Sequence, residues 1–226
     1  MRRRAVSPQR QGRDQPRHDH PVFTRVYAAL AALAERGPIG ELREQLLRGA
    51  SGRLLVVGLG PGHDLDHVPG TVDAVVAVEP SPSMSRRATR RVIRLRARGV
   101  PVHMVSGTAE ALPLRGESVD TVLCAFVLCS VTDLTRALAE VRRVLHPQGH
   151  LLLLEHVRAA EEPRLAAIQD RLQPLWGRLA GGCHPNRDVR TALRSAGFDD
   201  ADVLDFPLAQ NVPLCRPHLR GKARLR

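Results

Sequence analysis

No stretch of this 226-residue chain approaches the roughly 20 apolar residues that a membrane-crossing helix requires, so a transmembrane segment is not expected. Its first 20 residues also lack the apolar core of a secretory signal, and a cytoplasmic protein follows as the expectation. There is no CxxC pair: Cys124, Cys129, Cys183 and Cys215 are scattered, which favours reduced thiols over a structural metal site, and no metal is expected. Aromatic residues make up only 3% of the chain, and none interrupts the basic run Arg86, Arg87, Arg90, Arg91, Arg94, Arg96 and Arg98. Without bases stacking on aromatic faces, that run lacks the platform of a single-strand nucleic-acid binder. Its spacing of three and four instead places most of it on one solvated flank of a helix.

The net charge of +11 is concentrated at the ends of the chain. Residues 1–20 carry +4 and residues 216–226 carry +5, leaving +2 for everything between them. A nearly neutral body does not suggest nucleic acid as substrate, and a small molecule is the expected acceptor. The length suits one well-buried domain. Residues 1–20, rich in Arg, Gln, Pro and His without periodicity, read as a disordered basic leader, with a single domain over 21–226.

Within that domain, 21–49 reads as two helices, the first with Val22, Val26, Ala29, Leu30 and Leu33 on one apolar stripe. Strand-length apolar runs follow at 54–57, 74–78, 102–105, 119–126 and 150–157, separated by helical or loop sequence, and two last strands are expected at 202–206 and 219–225. Strands alternating with helices imply a parallel sheet. Between the fourth and fifth runs, Leu134, Ala137, Leu138, Val141, Val144 and Leu145 share a helix face, with Thr132 or Asp133 as cap and Pro147 and Gly149 as terminators. Residues 53–157 thus form a cofactor-type half, and 158–226 a substrate side with the last strands.

The first strand runs into LLVVGLGPGHD, with Gly58, Gly60 and Gly62 at alternate positions. A dinucleotide loop would read GxGxxG, but His63 occupies the place of its third glycine. A tight strand-to-helix turn alone would also favour glycine. Glu79, at the end of the second strand, offers an ionised acceptor with two oxygens for vicinal ribose hydroxyls. In HDLDH, two histidines at i and i+4 flank Asp64 and Asp66, a spacing read here as solvent and cofactor contacts rather than as metal ligands. Cys183 and His184 are adjacent, so they are not expected to point the same way, and GGC near Trp176 reads as a substrate flap.

The GxGxG loop after a first strand resembles motif I of the class I S-adenosylmethionine-dependent methyltransferases. FVLCSV at 126–131, EVRRVLHPQG at 140–149, EHV at 155–157, GGC at 181–183 and PHLRGKA at 217–223, in this order, are similar to the alkyl thiol methyltransferases and their bacterial relatives. The resemblance implies a Rossmann-like α/β fold with a mostly parallel seven-stranded sheet and helices on both faces. It further implies S-adenosylmethionine as cofactor, bound by Gly58, Leu59, Gly60, Gly62, Asp64, Glu79, Pro80, Thr108, Ala109, Glu110 and Ala125. On the acceptor side it implies Phe126, Cys129, Trp176 and Cys183, with Glu155 and His156 as candidate catalytic residues and His156 suited to proton removal near pH 7.

This chain departs from that pattern at Val56, where relatives carry an acid two residues before the first glycine, and Asp64 is the expected replacement. The reaction expected is methyl transfer to a small, partly apolar acceptor, with thiol sulfur first. A quinone-type C-methyltransferase, a natural-product O-methyltransferase and a catalytically weak cofactor-binding domain serving a partner are the alternatives. Oligomeric state is left open.

Overall fold

The computed structural model describes residues 28–29, 31–208 and 212–226. The leader at 1–20 and Val22, Val26 and Leu30 of the first expected helix therefore lie outside the described residues. Seven strands, β1 (Gly52–Val57), β2 (Val72–Val78), β3 (Val102–Val105), β4 (Val119–Ala125), β5 (Leu145–His156), β6 (Phe198–Pro207) and β7 (Pro217–Leu225), form one sheet in the order β3-β2-β1-β4-β5-β7-β6. All neighbouring pairs are parallel except those of β7, which runs antiparallel to both β5 and β6. Among the described residues, the helices of eight or more are α1 (Pro38–Leu47), α2 (Pro82–Ala97), α3 (Leu134–Val144) and α4 (Pro163–Leu179), joined by the shorter α5 (Val189–Ser195).

Strand side chains alternate between the two faces of the sheet, and both faces are covered, which is why the runs read as continuously apolar. Leu55, Val57, Val122, Cys124, Leu151 and Leu153 pack on one face with Ala137, Leu138 and Val141 of α3 and Leu193 of α5. Leu54, Val56, Val75, Leu123, Leu152 and Leu154 pack on the other with Leu47 of α1 and Ala88, Val92 and Leu95 of α2. No described helix is long and apolar enough to cross a membrane.

Local chemistry sets the helix ends. The Ser81 side chain accepts the Met84 N–H at 3.3 Å with Pro82 at the first helical position, and Asp133 accepts the Arg136 N–H at 3.0 Å. The arginines of α2 form the expected exposed flank and also fasten it: Arg91 and Arg94 each pair with Asp66 at 2.7 Å, and just past its end Arg98 donates to the Val68 carbonyl at 2.8 Å.

Two expectations fail here. Helix α3 stops at Val144, and Pro147 and Gly149 lie inside β5 rather than ending the helix. Gly149 is needed there for a close backbone approach, since a Cβ would sit 2.7 Å from the Asp120 carbonyl oxygen. Ahead of α1, residues 31–34 are helical, but Ala29 and Leu33 of the expected apolar stripe are exposed, Leu33 at 66%. The opposite face, Ala31 and Ala34, is the one turned to the interior, toward the cavity described below.

Gly221 marks the tightest approach between β7 and β6: a Cβ there would meet the Asp202 carbonyl oxygen at 2.1 Å and the Val203 Cα at 2.6 Å. Gly221→Ala is predicted to destabilise the fold by about 1–3 kcal/mol, because backbone rather than a flexible side chain must yield. A thermal unfolding curve unchanged in that variant would contradict this packing.

Candidate active site

The carboxyl ends of β1 to β5 open onto one cavity of about 620 Å³. In an open parallel sheet this edge, on either side of the first strand, is where ligands bind. From the β3 side to the β7 side it is walled by Thr108, Ala109 and Glu110, then Glu79 and Pro80, then Gly58, Leu59 and Gly60, then Ala125 and Phe126, and finally His156 and Cys215.

The glycine loop is held by β2 and its end. Gly58 and Leu59 donate to the Val78 carbonyl at 2.8 and 3.1 Å, and the Gly60 N–H donates to Glu79 Oε2 at 2.7 Å. The Ser81 N–H donates to Glu79 Oε1 at 2.8 Å. Each carboxylate oxygen keeps a second lone pair for a ligand hydroxyl. Burial raises the Glu79 carboxyl above its usual range, against these two N–H donors, which favour the anion.

The three glycines do different work. Gly58, Gly60 and Gly62 all have φ between 54° and 85°, the left-handed region that glycine occupies without a steric penalty. At Gly58 a Cβ would strike Val127 Cγ2 at 2.5 Å. At Gly60 it would meet nothing nearer than 3.9 Å and would project into the open cradle above the loop. Gly62, expected among the cofactor contacts, does not line the cavity; its Cα faces Ala88 of α2, where a Cβ would come within 3.0 Å of the Ala88 Cβ. Its lack of a side chain lets α2 pack against the turn after the glycine loop.

Val56 is fully buried in the apolar layer behind the loop. The acid at this edge is Asp64, which lines the cavity and forms an ion pair with Arg43. Arg43 also donates to Glu35 at 2.9 Å, and its guanidinium stands 5.8 Å from the Phe126 ring centroid. Burial works against the Arg43 charge, but Asp64 and Glu35 together hold it firmly cationic. The trio, two carboxylates and one guanidinium, lines the cavity with a net charge of −1, suited to a cationic ligand group. Beside it, burial first and then the Arg91 charge push His63 down to about 4, and its Nε2 is buried without a hydrogen-bond partner. His63 Nδ1 is hydrogen-bonded to Arg91 at 3.0 Å, and Asp66 is paired with Arg91 and Arg94, so this turn is tied to α2.

At the other end lie Phe126, Cys129, Trp176, Cys183 and Cys215, all in the wall of the same cavity. Phe126 has φ 60°, an unusual conformation for an aromatic residue that turns the chain out of β4. Cys183 faces the cavity while His184 turns away to Gln173 at 2.6 Å, so the adjacent pair divides as expected. Contact with Cys183 and then burial push the Cys129 thiol well above its usual range, which leaves it no nucleophilic thiolate of its own.

Glu155 and His156 also point apart. His156 faces the cavity; Glu155, expected beside it as a catalytic group, is fully buried and outside the cavity wall. Its Oε1 accepts the N–H groups of Val127 and Leu128 at 2.9 and 2.8 Å, and its Oε2 that of Cys129 at 3.2 Å. Burial raises it to about 7 against those three donors. Its place is to hold the loop, not to meet a substrate. His156 does face the substrate side, but burial and the nearby His218 drive it down to about 3, so it is neutral near pH 7 and a weak proton acceptor there. Arg43, Glu35 and Cys215 were not indicated as site residues by the sequence: Arg43 meets partners 8 and 21 positions away, and no local spacing marks such contacts.

A glycine-cradled cavity at the switch point of this sheet, with a carboxylate at the end of β2, defines a class I S-adenosylmethionine-dependent methyltransferase. Residues 55–153 match the methyltransferase domain family. The chain is 31% identical over 203 residues to the human thiol S-methyltransferase TMT1A, covering 89% of this chain and 82% of that protein. It is 29% identical over 154 residues to the ubiquinone/menaquinone biosynthesis C-methyltransferase UbiE of Escherichia coli, 61% of each. Its fold is that of a Thermotoga maritima structure described as a possible histamine N-methyltransferase, with TM-score 0.64 at 21% identity over 92% of this chain and 100% of that one. The chain belongs to the family of the thiol S-methyltransferases TMT1A and TMT1B.

S-adenosylmethionine is its cofactor, and the residues present fit it. Gly60 would leave room for the cofactor's chain, Glu79 would accept from the ribose hydroxyls, and Asp64 with Glu35 and Arg43 would offer negative charge to its cationic amino acid end. Two substitutions separate the glycine roles. Gly60→Ala is predicted to weaken cofactor binding by at least about tenfold with little further loss of stability than its φ imposes, about 1 kcal/mol, whereas Gly62→Ala should mainly lower the unfolding temperature. Calorimetry with S-adenosylhomocysteine alongside thermal unfolding checks both; equal effects on the two readouts would contradict the division.

Proposed function

We propose that the methyl acceptor is a small, apolar thiol. The observation that carries this reading is the make-up of the β4-to-β7 end of the cavity. Phe126, Cys129, Trp176, Leu179, Cys183 and Cys215 wall it, and the Arg43 guanidinium, 5.8 Å from the Phe126 ring centroid, is already paired with Asp64 and Glu35. A charged or strongly hydrated acceptor would lose its water there without a compensating partner. A soft, weakly hydrated sulfur would not. The names of the relatives TMT1A and TMT1B point the same way.

When bound, the cofactor supplies a sulfonium methyl that an acceptor takes by in-line attack. The chain's own work is orientation and exclusion of water, which in favourable cases lowers a barrier by about 7–11 kcal/mol. Trp176, Leu179 and Ala180, at the end of α4, and Gly181 close the acceptor side. The Trp176 indole N–H is buried there without a hydrogen-bond partner and offers a directional donor to a bound acceptor. A cytoplasmic location suits the four free, buried thiols. Arg91 and Arg94 of α2 are committed to Asp66, which favours a small-molecule acceptor over nucleic acid.

Similarity to UbiE keeps a quinol carbon or oxygen as the competing acceptor. A panel of alkyl and aryl thiols, phenols and quinols with labelled cofactor discriminates them. Thiols are predicted to give kcat/KM values at least about tenfold above the matched phenols, a difference of roughly 1.4 kcal/mol in transition-state stabilisation. Methylation confined to phenols or quinols would overturn the assignment.

A further inference from the structure

Three potential ligands from three separate segments converge at the acceptor end. Cys129 comes from the loop after β4, His156 from the last position of β5, and Cys183 from the turn after α4. His156 Nδ1 stands 3.8 Å from Cys129 Sγ and 3.6 Å from Cys183 Sγ, and the three atoms lie within 4.8 Å of one another. All three residues line the cavity.

Simple hydrogen bonding accounts for only part of this arrangement. A neutral Nδ1 either accepts from one thiol or carries its own proton, and Cys129 Sγ also has Ser130 Oγ at 3.5 Å, so hydrogen bonding serves the two sulfur contacts unequally. Tetrahedral coordination accounts for both distances. With metal–sulfur bonds of about 2.3 Å and metal–nitrogen bonds of about 2.0–2.1 Å, neighbouring S and N ligands lie about 3.5 Å apart. Two thiolates and a neutral imidazole around a divalent ion sum to zero charge, the condition an apolar cavity tolerates. Thiolate and imidazole donors at tetrahedral spacing select zinc among the common divalent ions.

The three residues are also held in place. The Cys129 N–H is on Glu155, and the Cys129 carbonyl accepts the His184 N–H at 2.7 Å, which ties the loop of one cysteine to the turn of the other. Arg187 donates to the Leu128 carbonyl at 2.7 Å, and Gly181 and Gly182, with φ 62° and 87°, bend the chain so that Cys183 returns to the cavity. Outer contacts of this kind are what fix ligand geometry in metal sites.

We propose that Cys129, His156 and Cys183 bind one zinc ion, and that its open fourth position takes the sulfur of the acceptor. This deepens the thiol reading and rests on it. Three protein ligands with a vacant fourth position is the arrangement of catalytic rather than structural zinc. A free thiol near pKa 8.5 is only a few per cent ionised at neutral pH, whereas a metal-bound one is deprotonated outright. The step balances: the S–H bond breaks, its proton passes to solvent, and a Zn–S bond forms. A sulfur lone pair then makes the new C–S bond, the electron pair of the broken C–S bond stays on the cofactor's sulfur, and the neutral thioether, a weaker ligand, departs with zinc unchanged.

The experiment uses the full chain, stripped with a chelator under reducing conditions and titrated with zinc or cobalt(II) against a chromophoric competitor. One ion per chain is expected, with a thiolate-to-cobalt absorption band that shifts when an alkyl thiol is added. Cys129→Ser and Cys183→Ser should each lower metal affinity by about 100-fold or more while still binding S-adenosylhomocysteine, which shows that they fold; Cys124→Ala should bind metal as the parent does. Absence of the band, or affinity unchanged in both serine variants, would overturn the site. Full-rate thiol methylation by metal-free protein would overturn its role and leave the thiol reading intact. Metal bound by the triad with no thiol methylated would instead uphold the site and remove the acceptor assignment.

Discussion

A single buried carboxylate decides where the acceptor end of this protein lies. Glu155 has no contact with solvent, and its two oxygens gather three consecutive backbone N–H groups from residues 127–129. Those groups belong to a loop that leaves β4 through a left-handed Phe126 and would otherwise be buried donors without partners, each costing about 1–3 kcal/mol. Once the loop is fixed, so are Phe126, Cys129 and, through the Cys129 carbonyl and the His184 N–H, the turn that carries Cys183. An acid adjacent to the cavity thus acts by building its wall.

The order of strands divides the rest of the chemistry. β3, β2 and β1 present Glu110, Glu79 and the glycine loop, a polar and backbone-rich half suited to an adenosyl group. β4, β5 and β7 present rings and thiols: Phe126 and His156 lie 4.9 Å apart by ring centroids, and His156 and His218, paired across β5 and β7, lie 4.9 Å apart. Glu35, Arg43 and Asp64, joined by ion pairs, also line the cavity. Asp64 lines the cavity from the turn after the glycines, while Val56 packs in the apolar layer of the sheet.

Much of this was legible in the sequence, for a physical reason. A parallel strand covered on both faces must be apolar throughout, so β1, β2, β4 and β5 announce themselves, and glycines or a carboxylate at their ends fall at the ligand edge by topology. What a local pattern does not carry is direction. The sequence places Gly62 with Gly58 and Gly60, but only the packing of α2 shows that Gly62 faces Ala88. It places Glu155 beside His156, and strand alternation permits one of them to face the cavity without saying which. Leu33 follows a helical stripe, yet its exposed position depends on Ala31 and Ala34 covering the cavity instead. Arg43 was illegible because its partners come from Glu35 and Asp64, on other segments.

The claim that Glu155 shapes the acceptor end while the cofactor end stands apart from it is tested most directly by comparing, in Glu155→Gln and the parent, the affinity for S-adenosylhomocysteine and the KM for a thiol acceptor. The amide keeps the volume but sets its own N–H₂ against backbone donors, so the loop must shift. The account predicts cofactor affinity within about threefold of the parent and a KM raised by about tenfold or more, a change of roughly 1.4 kcal/mol confined to the acceptor. Both constants worsening together, or neither changing, would contradict it.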